Sequence, residues 1–411
     1  MIDNVLCTAP LTSVLIDTNK GVRPCCYYDT RDAGFLGNLK ENKIIDIFSN
    51  DEYKKLKQQM YNKEWATGCM SCKELEMEAG SSLRKDFYNN ESTDLQGWEQ
   101  EKLTYLEFNG SNICNLSCLH CHPGFSSRWV IEREKIIKLA DKRGPEQRKL
   151  VESFRSIHKF TDDTKITSTK MHLPNPNLVI ESLKTVQLFD LKTLSFKGGE
   201  PMLNSETMAI MEYLEERDYL KNVNLNIVTN GTYINDEILK LFSKSKSVIY
   251  QVSVDGIGEL FNYIRYGDAK FSELEKNIAL VNELPNARIN ISSASMNYNA
   301  FNLLDIKDWV NKLNVKYSKV CTSGCFSMVV QSPEYLSMTT LSDATRKKLI
   351  DFYSRYNKNN ELDLVINKLS NSYAGNELHN KWVDYTRTME ELRGNNILDI
   401  VPQLESELQY V

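Results

Sequence analysis

The stretch NICNLSCLHCHPGFSSRW, residues 112–129, packs three cysteines into eight residues. Cys114, Cys118 and Cys121 read C-x3-C-x2-C. A closed zinc site wants four ligands and a disulfide wants two, so the count needs a reason of its own. Thiolates favour soft metals, and four of them are the usual complement of a [4Fe–4S] cluster. Three from one loop would hold three irons and leave the fourth open to a small chelating molecule. On the loop alone, zinc held by the three thiols plus His120 or His122 stays open as the alternative.

The rest of the chain narrows the setting. Its 411 residues are 41% hydrophobic and 26% charged, which allows roughly two to three domains with a buried core. A formal net charge of −5 gives no global basic field for nucleic acid. No basic segment precedes an apolar one near Asp3, and no apolar run approaches the ~20 residues of a spanning helix. A cytoplasmic protein without membrane association is expected. Ten cysteines in such a compartment point to metal or catalysis rather than to disulfides. Eight of the ten (Cys7, Cys25, Cys26, Cys69, Cys72 and the triplet) lie in the first 121 residues, and only Cys321 and Cys325 follow.

From about residue 101, short strand-like runs alternate with helical patterns: LTYLEF (103–108), LKTLSF (191–196), VNLNIV (223–228), SVIYQVSV (247–254), ARINISS (287–293) and VKYSKV (315–320). This alternation predicts an α/β fold with a parallel sheet. Helices are expected near 51–62, 205–217 and 302–313. The last sixty residues also read as helical, with Gly394 as a stop. The polar stretch at 86–100 reads as a linker, and 142–170 as a hydrophilic excursion.

The triplet falls just past the first of these strands, at the sheet edge where α/β chemistry collects. FKGGEPML (196–203) follows the second strand, VTNGT (228–232) the third and VSVDG (252–256) the fourth. Gly198 and Gly199 let backbone approach a ligand, and Glu200 can accept from an ammonium group. Strand alternation puts Ser253 and Asp255 on one face, suited to a hydroxyl-rich ligand.

In this order the motifs resemble the radical S-adenosylmethionine (radical SAM) superfamily over about 101–330. The resemblance implies a partial (β/α)6 barrel, a [4Fe–4S] cluster on Cys114, Cys118 and Cys121, and SAM bound at its open iron. It further implies reductive cleavage of SAM to a 5′-deoxyadenosyl radical that takes hydrogen from a substrate. Carried over by position, Gly198, Gly199 and Glu200 would hold the methionine ammonium, Asn230 would join the cofactor site, and Ser253 and Asp255 would lie near the ribose. Arg265 would meet the SAM carboxylate. His120 would lie against adenine, where the family commonly has Tyr or Phe.

The N-terminal cysteines resemble the twitch domain, a smaller relative of the SPASM domain, placed here before the barrel. That likeness implies a second, auxiliary [4Fe–4S] cluster on Cys7, Cys25, Cys69 and Cys72, with Cys26 competing for the place of Cys25. The implied division is a twitch-like α+β domain at 1–95, the barrel at 101–335 and a helical extension at 336–411. An external donor such as flavodoxin or ferredoxin would supply the electron. Cys321 and Cys325 are candidates for a hydrogen-atom donor or a cluster or substrate ligand, against a packing role. The substrate is expected to be a small molecule undergoing net oxidation or bond formation, with a ribosomally made peptide as runner-up. A non-catalytic zinc protein is the reading from another class.

Overall fold

The computed structural model describes residues 7–79, 82–85, 102–145, 173–322, 324–326 and 328–408. The expected linker at 86–100 and most of the excursion at 142–170 lie outside the described residues.

Six strands run parallel and pair in chain order: β4 (Tyr105–Phe108), β5 (Thr193–Phe196), β6 (Asn224–Thr229), β7 (Ser247–Ser253), β8 (Ala287–Ser292) and β10 (Val320–Cys321). These are the strands of an open α/β barrel sheet. One face is apolar: Leu106, Phe108, Leu194, Phe196, Leu225, Ile227, Tyr250 and Ile289 are all buried there, with Phe108 and Phe196 stacked at 6.1 Å. The opposite face carries Tyr105, Glu107, Ser195, Asn226, Gln251 and Asn290, because successive strand residues alternate sides. A pair of two-residue strands, β9 (Ala294–Ser295) and β11 (Met328–Val329), stands apart from this sheet.

The N-terminal segment does not form a sheet of its own. β1 (Ser13–Ile16) pairs parallel with β4, matching Ser13 to Tyr105 and Ile16 to Phe108. β2 (Gly21–Arg23) and β3 (Gly37–Asn38) then extend the edge antiparallel, giving nine strands in one sheet. Buried ion pairs hold the join. Asp17 faces Arg23 at 2.9 Å and accepts from Asn109 Nδ2 at 3.0 Å. Lys20 Nζ reaches Glu206 at 2.6 Å and the carbonyl of Gly110 at 2.5 Å, bridging β1 to the helix Ser205–Glu215.

The VKYSKV segment departs from its expected strand. The helix Leu303–Lys316 takes its first two residues, Val315 is exposed, and only Val320 and Cys321 pair with β8. The long helix Asn376–Arg393 ends at Gly394 with φ +67°, a left-handed cap that suits glycine. Among the described residues no helix is long and apolar enough to cross a membrane.

Lys20 and Glu206 are 4% and 1% exposed, so removing the cation alone strands a buried carboxylate. Lys20→Met is expected to cost about 3–5 kcal/mol in urea unfolding. Adding Glu206→Gln should restore most of that loss.

Candidate functional site

Past β4 the chain turns through Asn109–Ile113 into the cysteine loop. Backbone and side-chain hydrogen bonds fix that loop from three sides. The Ser117 and Leu119 amides donate to the carbonyls of Tyr266 and Ile264, at 2.7 and 2.9 Å. The carbonyls of Ser117, Cys118 and Leu119 accept from Arg393 NH2 (2.6 Å), Trp129 Nε1 (2.7 Å) and Tyr385 OH (2.8 Å). Ser126 caps the helix Ser127–Arg143, and its hydroxyl also donates to the Leu116 carbonyl at 2.6 Å. Arg393 and Tyr385 come from the C-terminal helix, and nothing local in the sequence marked them as supports of this loop. Asn115 was marked only by standing inside the motif. Its amide donates to Thr232 Oγ1, and its Oδ1 accepts from Asn230 Nδ2, both at 2.9 Å.

Within this frame the thiols gather. Cys114 Sγ lies 3.5 Å from the Leu116 amide and 4.0 Å from Asn230 Nδ2, and Cys118 Sγ lies 3.8 Å from Arg265 NH1. Burial pushes the Cys114 thiol well up, and Cys118, Glu200 and Cys121 push it further. Among the described residues no three His, Cys, Asp or Glu side chains converge on a point where one ion could sit. Zinc binds thiolate sulfur at about 2.3 Å and needs such convergence. Three soft thiol donors on one loop suit an iron–sulfur cluster.

The GGE motif serves this loop more directly than expected. A Cβ on Gly199 would lie 2.2 Å from the Ile113 carbonyl oxygen, and one on Gly198, at φ +106°, 2.1 Å from that of Asn109. The glycines therefore allow close approach between two loops, sealed by Glu200 N–H to Ile113 O at 2.7 Å. The Glu200 side chain is fully buried and already committed. It accepts from Thr229 Oγ1 (2.7 Å), Asn230 N–H (2.8 Å) and Met202 N–H (3.2 Å). Its carboxylate ties strand ends together, with three of its roughly four acceptor sites in use.

Asp255 likewise departs from the expected ribose contact. It is fully buried, accepts from the Ala294 amide at 2.8 Å and pairs with Arg265 at 2.8 Å. Its partner Ser253 remains half-buried at the end of β7, so the two do not share an open face. His120 lies beside this pair, with Nε2 3.7 Å from Asp255 and a buried Nδ1 that has no partner among the described residues. Burial lowers its pKa despite Asp255.

A second cavity is lined by Cys7, Cys25, Cys69 and Cys72 together with Tyr28, Met60, Trp65, Leu83 and Arg84. Burial raises the Cys25 thiol well above its ordinary range, and Cys26, Cys7, Cys69 and Cys72 add to the effect. Cys26 does not line this cavity. It faces the neighbouring one, with Tyr105, Glu107 and Lys197. Four apolar-walled thiols around one space fit an iron–sulfur group. Of the late cysteines, Cys321 sits on the polar sheet face with Arg288 NH2 3.2 Å from its sulfur. Cys325 is 4% exposed in the main core, and burial raises its thiol to about 11. Cys325 therefore packs within the core, with Cys321 close enough to raise its thiol further.

Burial pushes the Glu200 carboxyl up to about 7, against three hydrogen bonds that favour the charged form. The folded state keeps this proton to higher pH than the unfolded chain, whose ordinary value is 4.5. The resulting stabilisation is full below about pH 4.5 and is lost as pH rises through about 7. Glu200→Gln cannot titrate. Urea midpoints of wild type relative to this variant are expected to fall between those limits and stay level above them.

Comparison with known proteins agrees with this geometry. A family profile described as the radical SAM superfamily matches residues 108–311, and one described as an iron–sulfur cluster-binding domain, SPASM, matches 7–73. The GTP 3′,8-cyclase of Mannheimia succiniciproducens is 24% identical over 212 residues, 51% of this chain and 51% of that protein. The radical SAM cyclopropyl synthase TigE of Paramaledivibacter caminithermalis is 22% identical over 258 residues, 62% and 47% of the two chains. The chain spans about half the length of these curated relatives. Among solved structures, anSMEcpe with bound AdoMet is 18% identical, covering 75% of this chain and 81% of that one, with a TM-score of 0.41. Streptococcus suis SuiB bound to precursor peptide SuiA is 14% identical, covering 81% and 70%, with a TM-score of 0.29. The chain belongs to the radical SAM superfamily and carries a SPASM-type domain ahead of its barrel, which brings a [4Fe–4S] cluster, SAM and an auxiliary iron–sulfur cluster as its cofactors.

Proposed function

We propose that Cys114, Cys118 and Cys121 hold the SAM-binding [4Fe–4S] cluster and that Cys7, Cys25, Cys69 and Cys72 hold an auxiliary [4Fe–4S] cluster. When bound, the first cluster and SAM supply a 5′-deoxyadenosyl radical that takes a hydrogen atom from the substrate. The chain's own residues do the positioning. Arg265, paired with Asp255, carries positive charge to the side of Cys118, where the SAM carboxylate would lie. His120 offers a buried ring nitrogen beside that pair.

One observation carries this reading. The two thiol groups lie at opposite ends of the β1–β4 strand pair, with the polar face of the sheet between them. Four strand residues separate the two ends by ~13 Å. A substrate on that face would meet the radical at one end and the auxiliary cluster at the other. This placement suits net oxidation or bond formation on a small molecule, the auxiliary cluster accepting an electron or a ligand. Residues 1–95 and 101–335 then divide by cofactor and not by sheet, and 336–411 braces the cysteine loop. An external flavodoxin or ferredoxin would deliver the electron.

Oxygen-free reconstitution with iron and sulfide, followed by metal counting, tests the assignment. Wild type is expected to hold about eight irons. Cys118→Ala and Cys25→Ala should each hold about four, one cluster fewer. Only Cys118→Ala should lose 5′-deoxyadenosine formation with dithionite, and Cys26→Ala should keep both clusters. Stoichiometric zinc without sulfide, or persistent 5′-deoxyadenosine in Cys118→Ala, would refute the reading.

A further inference from the structure

Between the two thiol groups, the polar sheet face holds an acidic and a basic side chain whose hydrogen-bonding capacity is only partly used. Glu107, on β4, is 3% exposed. Its Oε2 meets Lys197 Nζ at 2.9 Å and accepts from Tyr105 OH at 3.2 Å. Its Oε1 is buried with no hydrogen-bond partner among the described residues. An ammonium has three N–H donors, and Glu107 takes one of those on Lys197. Both residues line a cavity of ≈ 40 Å³ with Ser13, Leu15, Cys25 and Cys26. A water needs about 10–15 Å³ of such space, so the cavity takes roughly the three atoms of an O–C–N edge, the rest of the molecule standing at its mouth.

An acceptor without a partner in a closed site costs stability unless something fills it. Next to it stands a donor. The carboxylate and ammonium cancel, so neither a cation nor an anion is preferred. A neutral group presenting an N–H and a C=O on the same edge satisfies both. A trans peptide bond points these two in opposite directions and cannot engage the pair. Primary carboxamides and ring lactams can.

We infer that Glu107 and Lys197 form a subsite for an amide edge of the substrate, C=O on Lys197 and N–H on Glu107 Oε1, beside Cys25 and Cys26. This deepens the proposed function and rests on its reading that substrate is held between the two centres.

The test uses crystals of the full chain with clusters and SAM bound, soaked separately in acetamide, 2-pyrrolidinone, N-methylacetamide and acetate. Acetamide or 2-pyrrolidinone is expected in the cavity with both contacts made. The first would point to a primary carboxamide and the second to a lactam. Both should vanish from the Glu107→Gln/Lys197→Met double variant. The paired change avoids stranding one buried charge. Water alone in every soak, equal occupancy by N-methylacetamide or acetate, or amide density that survives in the double variant overturns the subsite. The same maps show whether iron sits on the cysteines, so failure of the functional reading is seen separately.

Discussion

The parallel pairing of β1 with β4 is the constraint on which the arrangement depends. Its four matched residues join segments about ninety positions apart, and they turn an N-terminal module into the edge of the barrel sheet. Without that join the Cys7–Cys25–Cys69–Cys72 cavity would have no fixed relation to the triplet. With it, both sit on one hydrogen-bonded body, and the face between them is defined by the alternation of β1, β4 and β5. The buried pairs Asp17–Arg23 and Lys20–Glu206 add register, since each carboxylate is enclosed and has its cation on the neighbouring element.

At the other end of the strands, loops hold one another. The GGE turn presses backbone to backbone against the segment entering the triplet, and Glu200 gathers Thr229, Asn230 and Met202 around one carboxylate. Asn230 in turn reaches Asn115 inside the triplet loop. Asp255 fixes Arg265, whose guanidinium approaches Cys118. Several motif residues therefore act on the site by orienting something else. A site meant to hold a reactive group gains from such support, because loops free to move would not keep three thiols aimed at one space.

Strand order and the triplet's place beyond β4 were legible in the sequence, because strand periodicity and clustered thiols are local signals. The four-cysteine set was legible from the resemblance, although choosing Cys25 over Cys26 required knowing which way each side chain faces off the edge after β2. Less was legible for Glu200 and Asp255. Their residue types suggested ligand contact, but their partners lie on other strands, and burial decided which oxygens remained available. Arg393 and Tyr385 were hidden for the same reason, since they stand more than 260 positions from the carbonyls they hold. VKYSKV misled because a helix end with an exposed Val315 mimics strand composition over six residues.

Burial also explains how the two thiol groups differ from ordinary surface cysteines. Each set is held in low-dielectric surroundings where ionisation is opposed, first by desolvation and then by neighbouring thiols. Cations offset this in part at one thiol of each set: Arg265 and Arg393 at Cys118, and Arg84 at Cys72. Such thiols hold their protons and would be unstable as bare thiolates. A cationic iron–sulfur core reverses that balance by pairing every thiolate at once, so the protons must leave as the core enters. The fold gathers the donors but leaves their charge to be neutralised by the cluster.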